Sequence, residues 1–539
     1  MKDSLPMTSN ATETHDVIVV GGGLAGLTAS AFLAKDGYRP LLIEKQDRCG
    51  GLVTTFTRDG FTYDGGIRAT EDSGVLFPML DALGLEVDFV HNKVSLGIED
   101  QVINITAESD LTTYEALLVQ LYPESETEIK QITAQMERIM GYMDIQYRIK
   151  NPAFLDPKED WQYFAKKVVP WMFQYAAKFK KIETLNTPVM DFLRQYTANE
   201  SLLDIITQHF FTETPAFFAL SYIKLYLDYY YPLGGTGTLI AKLVDFIQDH
   251  GGQIRTGTGI RSVNPAEKTL TNENGTVYRY GQLIWAADQK TLYREMDLRD
   301  LQDAEARKAI ENRWAAIRDK TGNDSILTVY LGVDKDKSYF SEIATEHFFY
   351  TPKRQGQSAA GPLPIGADKA AVKRWLADFF QLTTYEIAIP VLRDASLAPE
   401  GQTGLIVSVL FDYALAKAIR DAGWYDEFTQ FAEEQFTQVL DESIYPGLAG
   451  AVVQRFSATP LTIQRMSGNA DGAITGWAFT NDFMPAENRL PKIYSATKTP
   501  IPDVWQAGQW TYSPSGLPIS ILTGKLAADA VVKTLKKGN

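Results

Sequence analysis

The residues with the most specific chemical content lie between His15 and Gly66. Val17, Ile18, Val19 and Val20 are a short β-branched run suited to a buried parallel strand. They run straight into Gly21-Gly22-Gly23-Leu24-Ala25-Gly26, after which Leu24, Leu27, Ala31, Phe32 and Ala34 recur at helical spacing until Gly37. A second apolar run, Pro40 to Ile43, ends in Glu44, eighteen residues past Gly26. Strand, glycine turn, helix, strand and terminal acid together make the β-α-β unit that binds a dinucleotide. Gly21 permits the tight turn, Gly23 lets backbone N–H groups approach a pyrophosphate, and Gly26 lets helix pack on strand. The helix N-terminus favours the phosphates' negative charge. Glu44 is placed to accept hydrogen bonds from both ribose hydroxyls, and its charge repels a 2′-phosphate.

The residues beyond Glu44 separate the flavin from the nicotinamide readings. Gly50-Gly51 comes six residues after Glu44, then Leu52-Val53-Thr54-Thr55, and Tyr63-Asp64-Gly65-Gly66 comes after Phe61. This resembles the extended flavin motif of the flavin amine oxidase superfamily, which includes protoporphyrinogen oxidase and the phytoene desaturases. The resemblance implies FAD, with the second glycine pair along its phosphates and Gly65 and Gly66 close to its ring. Leu24, Ala25 and Lys45 belong to the same implied cofactor set. Many relatives carry Arg where Leu52 stands; Arg48, just before the glycine pair, either meets phosphate in its place or lies on the surface.

Further along, Tyr231-Pro232-Leu233-Gly234-Gly235-Thr236-Gly237-Thr238-Leu239 opens an amphipathic helix through Leu243 and Ile247, and Gly251-Gly252 precedes a strand. The segment resembles phytoene desaturases and carotenoid isomerases. Gly235-x-Gly237 is not a second dinucleotide loop, because no buried strand precedes it and Ile240 stands in the third glycine's place. By the resemblance, Ile260 contacts adenine through its backbone and Ala286 closes a strand that returns to the nucleotide sheet. The last part, Thr499 to Trp510 and Ser515-Gly516-Leu517-Pro518, resembles the closing flavin motif. There Gly508 and Gln509 meet the ribityl chain, Gln509 replacing the usual acid, and Gly516, Leu517 and Pro518 lead into a helix from Ile519 whose N-terminus points at the flavin. Ser457 to Pro460, Arg465, Gly468, Gly472 and Gly476 resemble the carotenoid isomerase and retinol saturase pattern.

These motifs require a particular architecture to bring them together. At 539 residues the chain exceeds what one core supports. The expectation is an α/β protein with a Rossmann-type FAD-binding domain made of residues 14–90, 231–300 and 491–539. A helical substrate or membrane-facing part spans 91–230, and a substrate domain with a mixed or antiparallel sheet spans 301–490.

Charge and composition narrow the partners. A net charge of −15 excludes a nucleic-acid partner, one cysteine excludes an intramolecular disulfide, and five scattered histidines offer no metal site. The first fourteen residues show no signal peptide, and no apolar run is long enough to span a membrane, so a cytoplasmic protein is expected. Against the acidic background, residues 164–182 carry Lys166, Lys167, Lys178, Lys180 and Lys181, no acid, and many aromatics. Such a segment either lies in a membrane interface, here the inner face, or is a solvated helix with aromatics turned inward. The aromatics from Phe210 to Tyr231 suit either the wall of a long apolar pocket or plain core.

The resemblance implies an FAD-dependent oxidoreductase of the phytoene desaturase, carotenoid isomerase and retinol saturase group. Its substrate is a long apolar polyene or isoprenoid lipid, desaturated, isomerised or saturated by hydride transfer with flavin N5, with a separate electron donor or acceptor unidentified. Arg68 is the one candidate catalytic residue, lying near the flavin or else paired with Glu71 or Asp72. The alternatives on the same scaffold are a flavin amine oxidase, a double-bond isomerase of unsaturated fatty acids, and a flavin-binding subunit without turnover. Cys49, beside the glycines, reads as a neutral buried thiol.

Overall fold

The computed structural model describes residues 12–147, 149–156 and 158–538. The first eleven of the fourteen N-terminal residues judged to hold no signal peptide lie outside the described residues. The opening strand, β1 (Glu13–Val20), pairs in parallel with Leu41–Ile43 on one side and Val277–Trp285 on the other. Gln253–Arg255 extends this sheet beyond Leu41–Ile43, while Val504–Gln506 adds in parallel to Val277–Trp285. Thr269–Asn272 and Ile260–Asn264 complete seven strands as an antiparallel flap. The nucleotide sheet is therefore assembled from three separate stretches of chain.

The glycine turn leads into α1 (Leu24–Lys35), whose residues Leu24 to Ala34 are all buried. An ordinary surface helix buries one stripe. This one is enclosed because the helix Gly237–Asp249 and the closing helix Leu517–Gly538 both pack against it. The approach is tight: a Cβ on Gly524 would stand 2.4 Å from the Ala25 carbonyl oxygen. Leu239, Leu243 and Ile247 supply the buried stripe of the helix after the YPLGGTG segment, as their spacing requires.

A second seven-stranded sheet runs in the order Val452–Ala458, Ser325–Val333, Thr403–Phe411, Tyr385–Ala388, His347–Thr351, Val94–Ile98, Gln101–Ile105. It is mixed: only His347–Thr351 and Val94–Ile98 run parallel. One face, with Leu327, Val329, Phe348, Ile387, Leu405 and Val407, packs under a helical layer that includes Leu376, Phe380 and Phe436. The opposite face carries Thr328, Tyr330, His347, Phe349, Glu386 and Ser408 and is the floor of the site. The hairpin Val94–Ile105 is a strand pair within residues 91–230, where the sequence leads to the expectation of a helical part. Its two strands are short, and the distant partner of the first, His347–Thr351, is some 250 residues away, so local pattern gives no warning.

Apart from the strand that begins at Tyr229, the rest of that region is mainly helical around its own core, including Leu118, Ile132, Ile139, Leu203 and Leu220. The basic segment is a helix interrupted by a π turn at Phe164–Val168 before Val169–Glu183.

Candidate active site

Between the two sheets lies a cavity of about 980 Å³, at the upper end of the range for small-molecule sites. Gly21, Gly23, Leu24, Ala25, Glu44, Lys45, Arg48, Gly50, Gly51 and Gly65 line it from the first third of the chain. Ile260, Ala286, Gly508, Gln509, Gly516 and Leu517 line it from the remainder. Of the other expected residues, Gly26 and Gly66 stand just behind the wall. A Cβ on Gly26 would fall 1.9 Å from the Gly21 carbonyl oxygen, and one on Gly66 1.9 Å from that of Leu52. Pro518 comes directly after Leu517 in the first turn of the closing helix.

The residues fit a dinucleotide. The N-terminus of α1 has no side-chain cap and no acid in its first turn, so nothing competes there for an anion. A Cβ on Gly23 would meet nothing within 4 Å, which leaves open space over the turn. The Gly50 N–H donates to the Gly22 carbonyl at 2.8 Å, tying the two glycine turns together. Glu44 accepts from the Gly22 N–H at 2.6 Å and the Gln46 N–H at 2.8 Å, which fixes its carboxylate at the cavity edge. Burial pushes the Cys49 thiol up to about 12, so it is the neutral thiol expected. Glu273, Lys290, Tyr330 and Phe456 also line the cavity. They come from distant elements and carry no motif by which the sequence could have announced them.

Asp64, fully buried, organises the wall. It accepts from Thr55 Oγ1 at 2.8 Å, Tyr231 Oη at 2.7 Å, and the Thr236 N–H and Oγ1 at 2.9 Å each. The Gly237 N–H donates to Thr55 Oγ1 at 2.8 Å. The YPLGGTG loop thus spends these donors on the second glycine motif.

Arg68 is 3% exposed and is not among the residues lining the cavity. Its guanidinium donates to the carbonyls of Asp64 and Gly66, to Ser408 Oγ at 3.0 Å and to Thr328 Oγ1 at 3.4 Å. Neither Glu71 nor Asp72 pairs with it. The hydroxyls of the sheet floor hold the arginine against its site-facing side, behind the cavity wall rather than in it.

Beside the cavity lies an aromatic chamber. His209, Phe210, Tyr222, Phe349, Glu386 and Glu71 keep part of their surface accessible, although protein surrounds His209, Tyr222, Glu386 and Glu71 on every side. Groups so placed line internal space. The rings touch in succession: Phe210 and Tyr222 at 5.1 Å, Tyr222 and Tyr226 at 5.1 Å, Tyr226 and Phe349 at 5.3 Å, Phe349 and His209 at 5.6 Å. Burial lowers the His209 imidazole to about 4, so it is neutral.

Glu386 is held by a chain of hydrogen bonds. Arg393 Nε donates to Asn92 Oδ1 at 2.6 Å, the Asn92 amide approaches His347 Nδ1 at 3.4 Å, and His347 Nε2 meets Glu386 at 2.9 Å. Burial opposes ionisation of Glu386, but His347 and the charges of Arg68 and Arg393 outweigh it and hold the carboxyl below its usual range.

Comparison with known proteins agrees with this geometry. The sequence pattern of flavin containing amine oxidoreductases matches residues 24–342. A phytoene desaturase (lycopene-forming) of Pseudescherichia vulneris is 21% identical, the match covering 96% of this chain and 99% of the relative. A 4,4′-diapophytoene desaturase of Staphylococcus aureus is 20% identical over 97% and 99%. Among solved structures, an oxidoreductase from Methanosarcina mazei superposes with a TM-score of 0.60 at 13% identity, covering 96% and 99% of the chains. Putrescine oxidase bound to putrescine superposes at 0.61 and 14% identity, covering 97% and 100%. With the family pattern spanning more than half of it, the chain belongs to the flavin containing amine oxidoreductases and is an FAD-dependent, phytoene desaturase-like oxidoreductase.

Proposed function

We propose that this enzyme acts on carbon–carbon bonds of a long apolar polyene or isoprenoid lipid, by desaturation, isomerisation or saturation. The observation that carries the reading is the aromatic chamber adjoining the cofactor cavity, built from Phe210, Tyr222, Tyr226 and Phe349. FAD, when bound, exchanges an electron pair as hydride at its N5. The protein's part is to hold the chain against that position and keep water out, since orientation is the main requirement of such a transfer. Gly21, Gly23, Gly50 and Gly51 would hold the phosphates and Glu44 the ribose. Arg68, anchored to the floor, would hold the Asp64 and Gly66 carbonyls and so the turn beside the ring.

A lipid substrate needs a way in. Trp161, Val169, Met172 and Phe173 are 60%, 45%, 57% and 73% exposed, next to exposed Lys166, Lys167, Lys180 and Lys181. Among the described residues no helix is long and apolar enough to cross a membrane. An exposed apolar face flanked by lysines supports peripheral contact with an anionic surface.

One observation favours a second reading, a flavin amine oxidase: an ionised carboxylate, Glu386, inside an aromatic chamber also suits an ammonium group. The two are separated by mixing oxidised and, separately, reduced holoenzyme without oxygen with vesicles carrying polyenes, and with amines, while tracking the flavin band. Bleaching or reoxidation by a polyene, or its isomerisation without net bleaching, is expected. Bleaching by amines alone overturns the lipid reading.

A further inference from the structure

Glu71 lies where the cofactor cavity and the aromatic chamber meet. It forms the short strand Thr70–Glu71, paired antiparallel with Tyr229 and Tyr230. Its Oε1 stands 3.6 Å from where a Cβ would be on Gly516, a residue that lines the cavity at the start of the closing helix. Glu71 is not itself a lining residue; it stands behind Gly516, whose lack of a side chain leaves the carboxyl close to the cavity. On its other side are Tyr229 and Tyr222, whose hydroxyls are bonded at 3.0 Å and both of which feel the charge of Glu71. The carboxyl is surrounded by protein and accepts from its own backbone N–H, and among the described residues no side chain donates to it and no cation pairs with it.

A buried carboxyl that no other residue's donor or cation satisfies, set between the cavity wall and the tyrosines, is costly to keep unless it has a task. We propose that Glu71 is the proton-exchanging residue of this active site, taking a proton from the carbon chain, or returning one, as the electron pair passes between that chain and FAD. In desaturation, one C–H bond breaks with its electron pair leaving as hydride to the oxidised cofactor. The neighbouring C–H bond leaves its pair behind as the new double bond, and its proton goes to the Glu71 carboxylate, which becomes the acid. Saturation runs the same exchange backwards. Isomerisation adds the proton at one carbon and removes one from another, with no net redox change.

Burial, reinforced by the charge of Asp228, pushes the Glu71 carboxyl up to about 7, so both forms are populated at neutral pH, as a proton-exchanging group requires. The groups that face it are Asp228 and the phenols of Tyr222 and Tyr229, with Asp72 and Tyr230 next to Asp228, and both aspartates are themselves raised by burial. His91 and Lys150 act on it at one remove, through Asp228 and Asp72 respectively. The closing helix contributes no charged side chain before Lys525.

The proposal rests on the polyene reading, and its test keeps the two apart. Wild type, Glu71→Gln and Glu71→Asp holoenzymes are matched for flavin content by their visible spectra. Each is mixed anaerobically in heavy water with phosphatidylglycerol vesicles carrying phytoene or retinol. The rate of flavin change is read across pH, and deuterium in the recovered lipid is measured. Infrared difference spectra without lipid track the protonated carboxyl band. Wild type is expected to show a rate limb and a carboxyl band titrating near neutrality, with deuterium entering the lipid on saturation or isomerisation. Glu71→Gln should lose both the limb and the band, with a rate at least about 100-fold lower at unchanged flavin content, and Glu71→Asp should recover part of the rate. Equal rates and pH profiles in wild type and Glu71→Gln overturn the role of Glu71 alone, as does a wild-type spectrum without a carboxyl titrating near neutrality. A wild type indifferent to every polyene overturns the substrate reading and this proposal with it.

Discussion

Gly23 and Gly26 stand three residues apart in one motif and answer differently to a single methyl group. At Gly26 a Cβ would meet the Gly21 carbonyl oxygen at 1.9 Å, so Gly26→Ala must push helix from strand. Overpacking of this kind costs roughly 1–3 kcal/mol, and a lowered Tm is expected even without cofactor. At Gly23 a Cβ would meet no protein atom within 4 Å, so Gly23→Ala apoprotein should melt like wild type yet fail to retain FAD. Equal melting of the two apoproteins would contradict the division between packing and phosphate glycines. Asp64→Ala strands Thr55, Tyr231 and Thr236 as buried donors, and a loss of about 3 kcal/mol is expected in denaturant titration. Glu71 makes a pH prediction of definite sign. Its folded-state carboxyl sits near 7 rather than 4.5, so between those values the folded protein holds a proton that the unfolded chain has released. That contribution is complete below about pH 4.5 and is lost as pH rises through 7. Glu71→Gln, neutral throughout, should match wild type near pH 4 and exceed it near pH 8 by about 3 kcal/mol in thermal or denaturant melts.

At the level of elements, foresight depends on what makes each element form. Val17 to Val20, the glycine turn and the helix ending near Gly37 are dictated by neighbours within a few residues, and their order along the chain carries the fold class with it. Leu239, Leu243 and Ile247 likewise reveal their buried stripe by spacing alone. The hairpin Val94–Ile105 and the two-residue strand at Thr70 exist because of partners far away in sequence, His347–Thr351 and Tyr229–Pro232. The chamber was the least legible part of the site. Glu71, His209 and Glu386 each look like ordinary residues in their own segments, and only the crossing of those segments gives them internal space. Arg68 stands out for its place after Gly66, but Thr328 and Ser408, which hold it against the floor, are more than 250 residues away. For the basic segment the structure turns Val169, Met172 and Phe173, at i, i+3 and i+4, outward together. Changing Met172 and Phe173 to Ser, or the five lysines to Gln, should reduce flotation with phosphatidylglycerol vesicles. The lysine change alone should matter little on uncharged ones, since each lysine contributes roughly 1 kcal/mol only near an anionic surface.

For the whole molecule, the decisive feature is that the nucleotide sheet is not contiguous. Val504–Gln506 pairs with Val277–Trp285, and the closing helix Leu517–Gly538 packs on α1 and sets Gly516 and Leu517 in the cavity wall. A chain ended at residue 503 keeps every glycine of the first motif but lacks one wall of the cavity, and it is expected to purify colourless, without the visible absorption of flavin. A yellow truncated protein would show that the first two stretches suffice. The same arrangement sets a timetable for synthesis: about 480 residues of chain separate Gly26 from Val504, so flavin capture is expected only once that long stretch has been translated and has folded back onto the first strand.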